Sequence, residues 1–347
     1  MISIFRPFKA EPAFNVNYNG IGSTPVLPFH HTIENLTRDV DVKPLHSHND
    51  YWRREPLFDA LKVGCQSIES DVWYFPSNYK VERTITETTS KGERSTRQEV
   101  NQFKNNEVYV GHNQIYLEPI NTLFNLYLNP LYSFLEYSNP EFTVIKDGSN
   151  ALIDTTDSKH GIFYNSPETP LYFWMDIKTE PSSTYKAIKD LLEPFIKQEF
   201  LASYDRGNDE HTSGPIILTL TGNLPTSDIE EEEVRYAYLD APLYKFTADT
   251  SKDELEKISK LSRVASASLE QLIGAEGVKL VQAEDFNAEQ REKLSNYFDF
   301  AHQYGLKTRI WGGIDWPRYI SEKHTKSLYE LGCDFLNVDD VKHASLI

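Results

Sequence analysis

Apolar residues in this chain come in short runs, and most runs end in one or two polar side chains. VKPLH leads into His46-Ser47-His48, QSIESDV carries Glu69 and Asp71, and LYFWMDIK is apolar up to Asp176 and Lys178. PIILTLTGN ends at Asn223, YAYLDAP at Asp240 and KTRIWGG at Trp311; RVASASL is a weaker run and CDFLNVDD closes the series. Short apolar runs bounded by turn residues read as buried strands. EVYVGHN reads as a further strand, ending in Gly111-His112-Asn113. Between the runs the period lengthens. Residues 56–64 (PLFDALKVG) read as a short helix with Pro56 in its first turn, Gly64 at its end and Leu57, Ala60 and Leu61 on one face. Residues 117–137 read as two short helices interrupted at Pro130, and further helices are expected over 182–201, 288–304 and 317–331.

Eight strands, near residues 42, 67, 171, 215, 236, 262, 307 and 333, alternate with helical or loop segments. That pattern predicts an α/β fold, an irregular (β/α)8 barrel of the TIM type. An open doubly wound sheet is the runner-up, but the glycine-rich phosphate loop such a sheet carries after its first strand is not found after Leu45. Residues 1–41 have weak periodicity and read as an N-terminal arm, with the barrel domain over 42–347. Residues 76–106 form a polar insertion in which YKVERTI alternates as part of an edge hairpin. Residues 139–170 are rich in loop signals.

Composition narrows the function classes. The 20 Tyr and 19 Phe among 347 residues argue for a packed domain rather than disorder. A net charge of -17 argues against nonspecific nucleic-acid binding and disfavours adsorption to anionic lipid. Two cysteines, Cys65 and Cys333, supply neither a disulfide framework nor a metal-binding cluster. No apolar run reaches transmembrane length, and the N-terminal stretch has the character of neither a signal nor a transit peptide.

The chemistry gathers at the strand ends, the catalytic face of such a barrel. Residues two apart on a strand share a side, so Glu69 and Asp71 face one way while Ile68 and Val72 face the other. Carboxylates held together repel unless a cation lies between them. Mg2+ is the natural occupant, with Ca2+ second, because hard cations prefer oxygen ligands. Glu69, Asp71 and Asp176 form the candidate metal set, and Lys178 adds positive charge for an anionic substrate. His46 and His112 are candidate base and acid. Metal, lysine and two histidines together suit phosphodiester cleavage. Asn223 and Trp311 are placed with the substrate side of the site. Alone, each has a plainer role: His112 bonded to backbone, Lys178 paired with Asp176, Trp311 in the core. Asp50, Asp59, Asp339 and Asp340 read as turn or cap residues. His30, His31, His160, His211, His302, His324 and His343 read as surface or loop residues.

The set HSHNDYW, SIESDVW, YVGHN, LYFWMDIK and LKTRIWG resembles the superfamily of phosphatidylinositol-specific phospholipase C and glycerophosphodiester phosphodiesterases. With NSPET, ILTLTGNLPTS and LDAPL it resembles more closely the fungal altered inheritance of mitochondria protein 6 family, from about residue 42 onward. The resemblance implies an irregular (β/α)8 barrel, metal-ligand roles for Glu69, Asp71 and Asp176, and a catalytic role for His112. Lys178 is similar to a phosphate-side lysine of the sphingomyelinase D branch, and Trp311 to a site-lining tryptophan there. The route implied is attack by a substrate hydroxyl to give a cyclic phosphate. The chain departs from the glycerophosphodiesterase His-Arg-Gly: His46-Ser47-His48 stands there, so His46, nearest the strand end, and His48 compete for one role and the motif's arginine is absent. His-x-His also opens the zinc amidohydrolase pattern, but PIILTLTGN and YAYLDAP lack the later histidines it needs, and only Asp339 or Asp340 would fit. A third expectation is a barrel that binds a phosphate or lipid headgroup without turnover. A mitochondrial link rests on the family's name alone.

Overall fold

The computed structural model describes residues 29–140 and 158–346. Of the expected arm, residues 1–28 lie outside the described residues, as do 141–157 of the loop-rich stretch. Ile33–Thr37 is a short helix capped by Thr32, and its Ile33 and Leu36 are buried in the main core.

Nine parallel strands form one nearly closed, barrel-like sheet. Around it run Tyr238–Leu239, Ile216–Gly222, Leu171–Ile177, Cys65–Tyr74, Lys43–Ser47, Phe335–Val338, Lys307–Trp311, Val264–Ser268 and Ala241–Pro242. The first and last of these are separated by Asp240 alone, so both edges belong to one extended segment. Helices follow the strands and pack outside. Pro181–Lys197 shows why: proline stands in its first turn, Glu180 accepts hydrogen bonds from the amides of Ser182 and Ser183, and Tyr185, Ile188, Leu192 and Phe195 recur at three- and four-residue intervals on the buried face.

Strand parity divides the core in two. Phe173, Met175 and Ile177 belong to the main cluster with the outer helices. Tyr172 and Trp174, of the opposite parity, join Tyr204, Ile217, Tyr238, Val264 and Phe335 in a second, largely aromatic cluster. That cluster fills the barrel and becomes the floor on which the next inward residue, Asp176, stands.

Several expectations need correction. The helix expected over 56–64 is the single turn Phe58–Leu61. The buried Asp50 carboxylate captures the Leu57 amide at 2.6 Å, and Leu57 takes a φ of +67°. Asp50 also accepts from Ser47 at 2.7 Å and Tyr127 at 3.0 Å, so it braces the interior rather than serving a surface turn. The two short helices expected over 117–137 are Phe124–Leu128, of π type, and Asn129–Ser138; they meet one residue before Pro130, which stands in the first turn of the second, where its missing N–H costs little. The helix begun near 182 ends at Lys197, and Leu201 bridges to Ile216 instead. RVASASL is a full strand, Val264–Ser268, because its alanines suit close packing. Among the described residues, the helices Thr226–Glu231, Lys252–Leu261 and Leu269–Val281, and the short Ile33–Thr37 and Val341–Ala344, had no sequence expectation. Lys252–Leu261 buries only Leu255, which leaves almost no apolar period to read. His324 is buried, stacked on Phe286 with Nε2 3.0 Å from the Glu284 carbonyl oxygen, and is not a surface residue.

The polar insertion is a two-stranded antiparallel hairpin, Tyr79–Thr88 with Arg94–Phe103. Phe103, Tyr109 and Leu117, with Trp73, Phe75 and Val81 against them, fix its base to the barrel. Among the described residues no helix is long and apolar enough to cross a membrane.

Candidate active site

Register brings the acids together. Asp71 lies opposite Asp176 on the neighbouring parallel strand, and Glu69 stands two residues earlier on the same side as Asp71. Each of the three offers an oxygen within 4.8 Å of the others. Glu69 and Asp71 are buried and Asp176 is partly so. Both acids lie inside Cys65–Tyr74 rather than at its end, because the strand runs on to pair antiparallel with Val108–Val110. That antiparallel strand delivers His112: the Gly111 amide donates to the Asp71 carbonyl at 3.2 Å.

Two cations hold the acids. Lys178 Nζ is 2.7 Å from Asp176 Oδ2 and 3.1 Å from Asp71 Oδ2. Burial pulls the lysine's pKa down, but its bond to Asp176 and the charge of both carboxylates outweigh burial and raise it. Asp71 is pushed up to about 6, chiefly by burial, against the pull of Lys178 and with the repulsion of Asp176. Its Oδ2, although close to cations, makes no aligned hydrogen bond. Glu69 behaves oppositely. Burial opposes its charge, yet Arg309, His46 and His48 hold its carboxyl well below the usual range. Arg309 Nη2 is 3.6 Å from Glu69 Oε1, its guanidinium lies 4.8 Å over the Trp174 ring, and Nε and Nη2 donate to Asn337 Oδ1 at 3.1 and 2.7 Å.

The three histidines separate. His46 is fully buried, with Nδ1 2.7 Å from Ser67 Oγ, Nε2 3.5 Å from Glu69 Oε2, and its ring edge-on to Trp174. Burial, then Arg309, pushes its pKa down to about 3, so it is neutral near pH 7. His48 is half-buried. Its Nδ1 lies 2.8 Å from Asp339 Oδ1 and its Nε2 3.8 Å from Glu69 Oε2. Burial lowers its pKa, but Asp339 and Glu69 more than offset that and raise it. His112 is half-exposed, with Nδ1 3.4 Å from Asp71 Oδ2 and 3.1 Å from Tyr51 Oη. His48 and His112 thus reach the acids from loops, whereas His46 approaches from within the wall.

The model of the AIM6-like phosphodiesterase domain matches residues 34–99 and 90–240. Altered inheritance of mitochondria protein 6 of Saccharomyces cerevisiae is 34% identical over 340 residues, covering 93% of this chain and 75% of the relative. The chain belongs to this family. Its members in Lachancea thermotolerans (32% identical, 90% of this chain, 67% of the relative) and Eremothecium gossypii (33%, 92% and 73%) match over a similar span. No solved structure matches.

Not every residue singled out in this family member joins the cluster. Asn223 is exposed and donates to the Thr179 carbonyl at 3.0 Å, tying the loop beyond Lys178 to the next strand. Trp311 is exposed at its strand end and makes no hydrogen bond or ring contact with the acids among the described residues. Arg309 escaped the sequence reading although it lies two positions before Trp311, on the same strand face. Asp339 read as a turn residue and is the partner of His48. Asp340 does cap Val341–Ala344.

Gly222 supports the cluster from behind. It has φ of +75°, and a Cβ there would lie 2.1 Å from Asp176 Oδ1 and 2.7 Å from the Ile177 carbonyl oxygen. Gly222→Ala is expected to cost about 1–3 kcal/mol of stability from the left-handed backbone, and to displace Asp176. Urea unfolding would show the loss; an unchanged midpoint would refute this role for Gly222.

Proposed function

We propose that this chain is a metal-dependent phosphodiesterase acting on a glycerophosphodiester or phospholipid-like substrate. The observation that carries the reading is the convergence of Glu69, Asp71 and Asp176 between His48 and His112. We read the nine-strand, nearly closed sheet, with Tyr238–Pro242 taken as one position, as consistent with the irregular (β/α)8 barrel of the superfamily.

The three carboxylates fit a hard divalent cation, Mg2+ before Ca2+, by their all-oxygen donor set. Such a cation, when bound, supplies charge stabilisation to the phosphoryl oxygens. Lys178 contributes a second positive charge beside them. One of His48 and His112 takes the proton of the attacking hydroxyl, and the other protonates the leaving oxygen. Asp339 holds His48 in one ring orientation through Nδ1, which leaves Nε2 for this exchange. His46 stays neutral and packs behind Glu69. A second reading, a phosphate- or headgroup-binding barrel without turnover, draws on Lys178, which already serves Asp71 and Asp176 as an internal counter-ion. The relatives' name links the family to mitochondrial inheritance, and a phospholipid-like substrate is compatible with that setting.

A panel of glycerophosphodiesters, lysophospholipids, sphingomyelin and inositol phospholipids, assayed with Mg2+ and with chelator, tests the proposal. Mg2+-dependent release of a phosphomonoester or cyclic phosphate is expected from one class. Binding of Mg2+ without turnover of any class would favour the second reading, and turnover unaffected by chelator would overturn the metal assignment.

A further inference from the structure

The motif HSHNDYW holds three residues that the proposed chemistry leaves unused: Asp50, Tyr51 and Trp52. They form one turn, Asp50–Trp52, directly after His48 and Asn49. Asp50 anchors this turn in the interior by accepting from Ser47, the Leu57 amide and Tyr127. Its two neighbours both reach His112, which arrives from a different part of the sheet. Tyr51 Oη lies 3.1 Å from His112 Nδ1, and the centres of the Trp52 and His112 rings are 4.8 Å apart.

The backbone before His112 is already fixed. The Gly111 amide donates to the Asp71 carbonyl, and the Gly111 carbonyl accepts from Trp73 Nε1 at 2.6 Å. The imidazole itself is half-exposed and projects from a loop, so rotation about its own side-chain bonds is the freedom left to restrain. Proton counting then gives the state of the ring. A phenol has one proton to donate. Tyr51 gives it to Asn49 Oδ1 at 2.5 Å, which leaves Oη to accept from His112. Burial, then the charge of Asp71, keeps the phenol from ionising. Nδ1 of a neutral His112 therefore carries the hydrogen, and Nε2 keeps the lone pair. Asp339 holds His48 through the same ring nitrogen. The two histidines thus offer like atoms from unlike supports, a carboxylate and a phenol.

We propose that the Asp50–Trp52 turn is a clamp on His112, in which Tyr51 is the positioning residue that fixes the Nδ1–H form and leaves Nε2 for proton exchange, while Trp52 covers the ring. The proposal deepens the phosphodiesterase reading and rests on it for the role of His112. The clamp itself is tested without turnover.

The full chain, labelled with 15N in its histidine rings, is studied in chelator at mildly alkaline pH by long-range 1H–15N spectra, and the His112 signals are assigned by their loss in His112→Gln. The Nδ1–H form is expected in the wild type. Tyr51→Phe keeps the ring and loses only the hydroxyl, and should convert His112 to the Nε2–H form that a free imidazole side chain favours. Trp52→Ala, at an exposed position, should loosen the His112 ring, seen as narrower lines and faster relaxation, and Trp52→Phe should restore it. On any substrate that the chain turns over, Tyr51→Phe should lower kcat about 10–100-fold with KM nearly unchanged, as lost positioning does. An Nε2–H ring in the wild type would overturn the proposal. So would an Nδ1–H ring retained in Tyr51→Phe, since Asp71, 3.4 Å from Nδ1, would then be its holder. A His112 ring unchanged in Trp52→Ala would overturn the cover. Loss of the Nδ1–H form in Tyr51→Phe, with no phosphodiester turned over, would leave the clamp standing and remove the phosphodiesterase reading; turnover lost in His112→Gln yet untouched in Tyr51→Phe would do the reverse.

Discussion

Asp71→Asn is expected to lower turnover by about three orders of magnitude and, at the same time, to make the metal-free chain more stable. The loss follows from the charge stabilisation a cation provides, several kcal/mol, at about 1.4 kcal/mol per factor of ten. The gain follows from removing a buried carboxylate that repels Asp176. On the proposed reading the two effects have opposite signs, because carboxylates that would hold a cation repel one another without it. The pH dependence separates them further. Asp71 has a folded pKa of about 6, above its unfolded value, so the folded chain holds the extra proton between about pH 4 and 6 and this group's contribution to stability falls as pH rises through that window. Asp240, also pushed to about 6 by burial, has the same sign. His46, pushed down to about 3, has the opposite sign: below its unfolded pKa the unfolded chain takes the proton first, and stability falls on acidification. The clean measurement is therefore a difference: urea unfolding of wild type and Asp71→Asn in chelator at pH 5 and pH 7. The variant's advantage should be larger at pH 7. An equal advantage at both would show that Asp71 does not titrate there.

The second large effect distinguishes two neighbouring histidines. His48→Ala is expected to reduce kcat by about 10²–10⁴-fold while changing stability by no more than about 1 kcal/mol, as befits a half-exposed acid–base group. His46→Ala is expected to cost about 2–4 kcal/mol of stability, because it opens a cavity against Trp174 and leaves the buried Ser67 hydroxyl without its partner. Steady-state kinetics beside thermal unfolding decides the matter. A stable His46→Ala variant with little activity, next to an active His48→Ala variant, would reverse the roles. The sequence favours His46 because it lies nearest the strand end; the structure favours His48 because that strand end turns His46 into the wall.

The difference between the two histidines shows where sequence reading reaches its limit. Parity along a strand is local, so the same-side placement of Glu69 with Asp71, and of Asp176 as the next polar step after Tyr172 and Trp174, was legible in the order of residues. So were most barrel strands, the polar insertion and the family, which rests on motifs such as HSHNDYW and YVGHN. Register between strands is long-range, and no local pattern reports it. Only the folded sheet sets Asp71 opposite Asp176, closes both edges through Asp240, runs an antiparallel strand back to carry His112, and brings Arg309 to Glu69 and Asp339 to His48. These partners come from strands more than 200 residues apart in sequence. Their pairing follows from the packing of the whole barrel, since one residue of slip in any strand would turn its charged side chains from the interior to the helix layer.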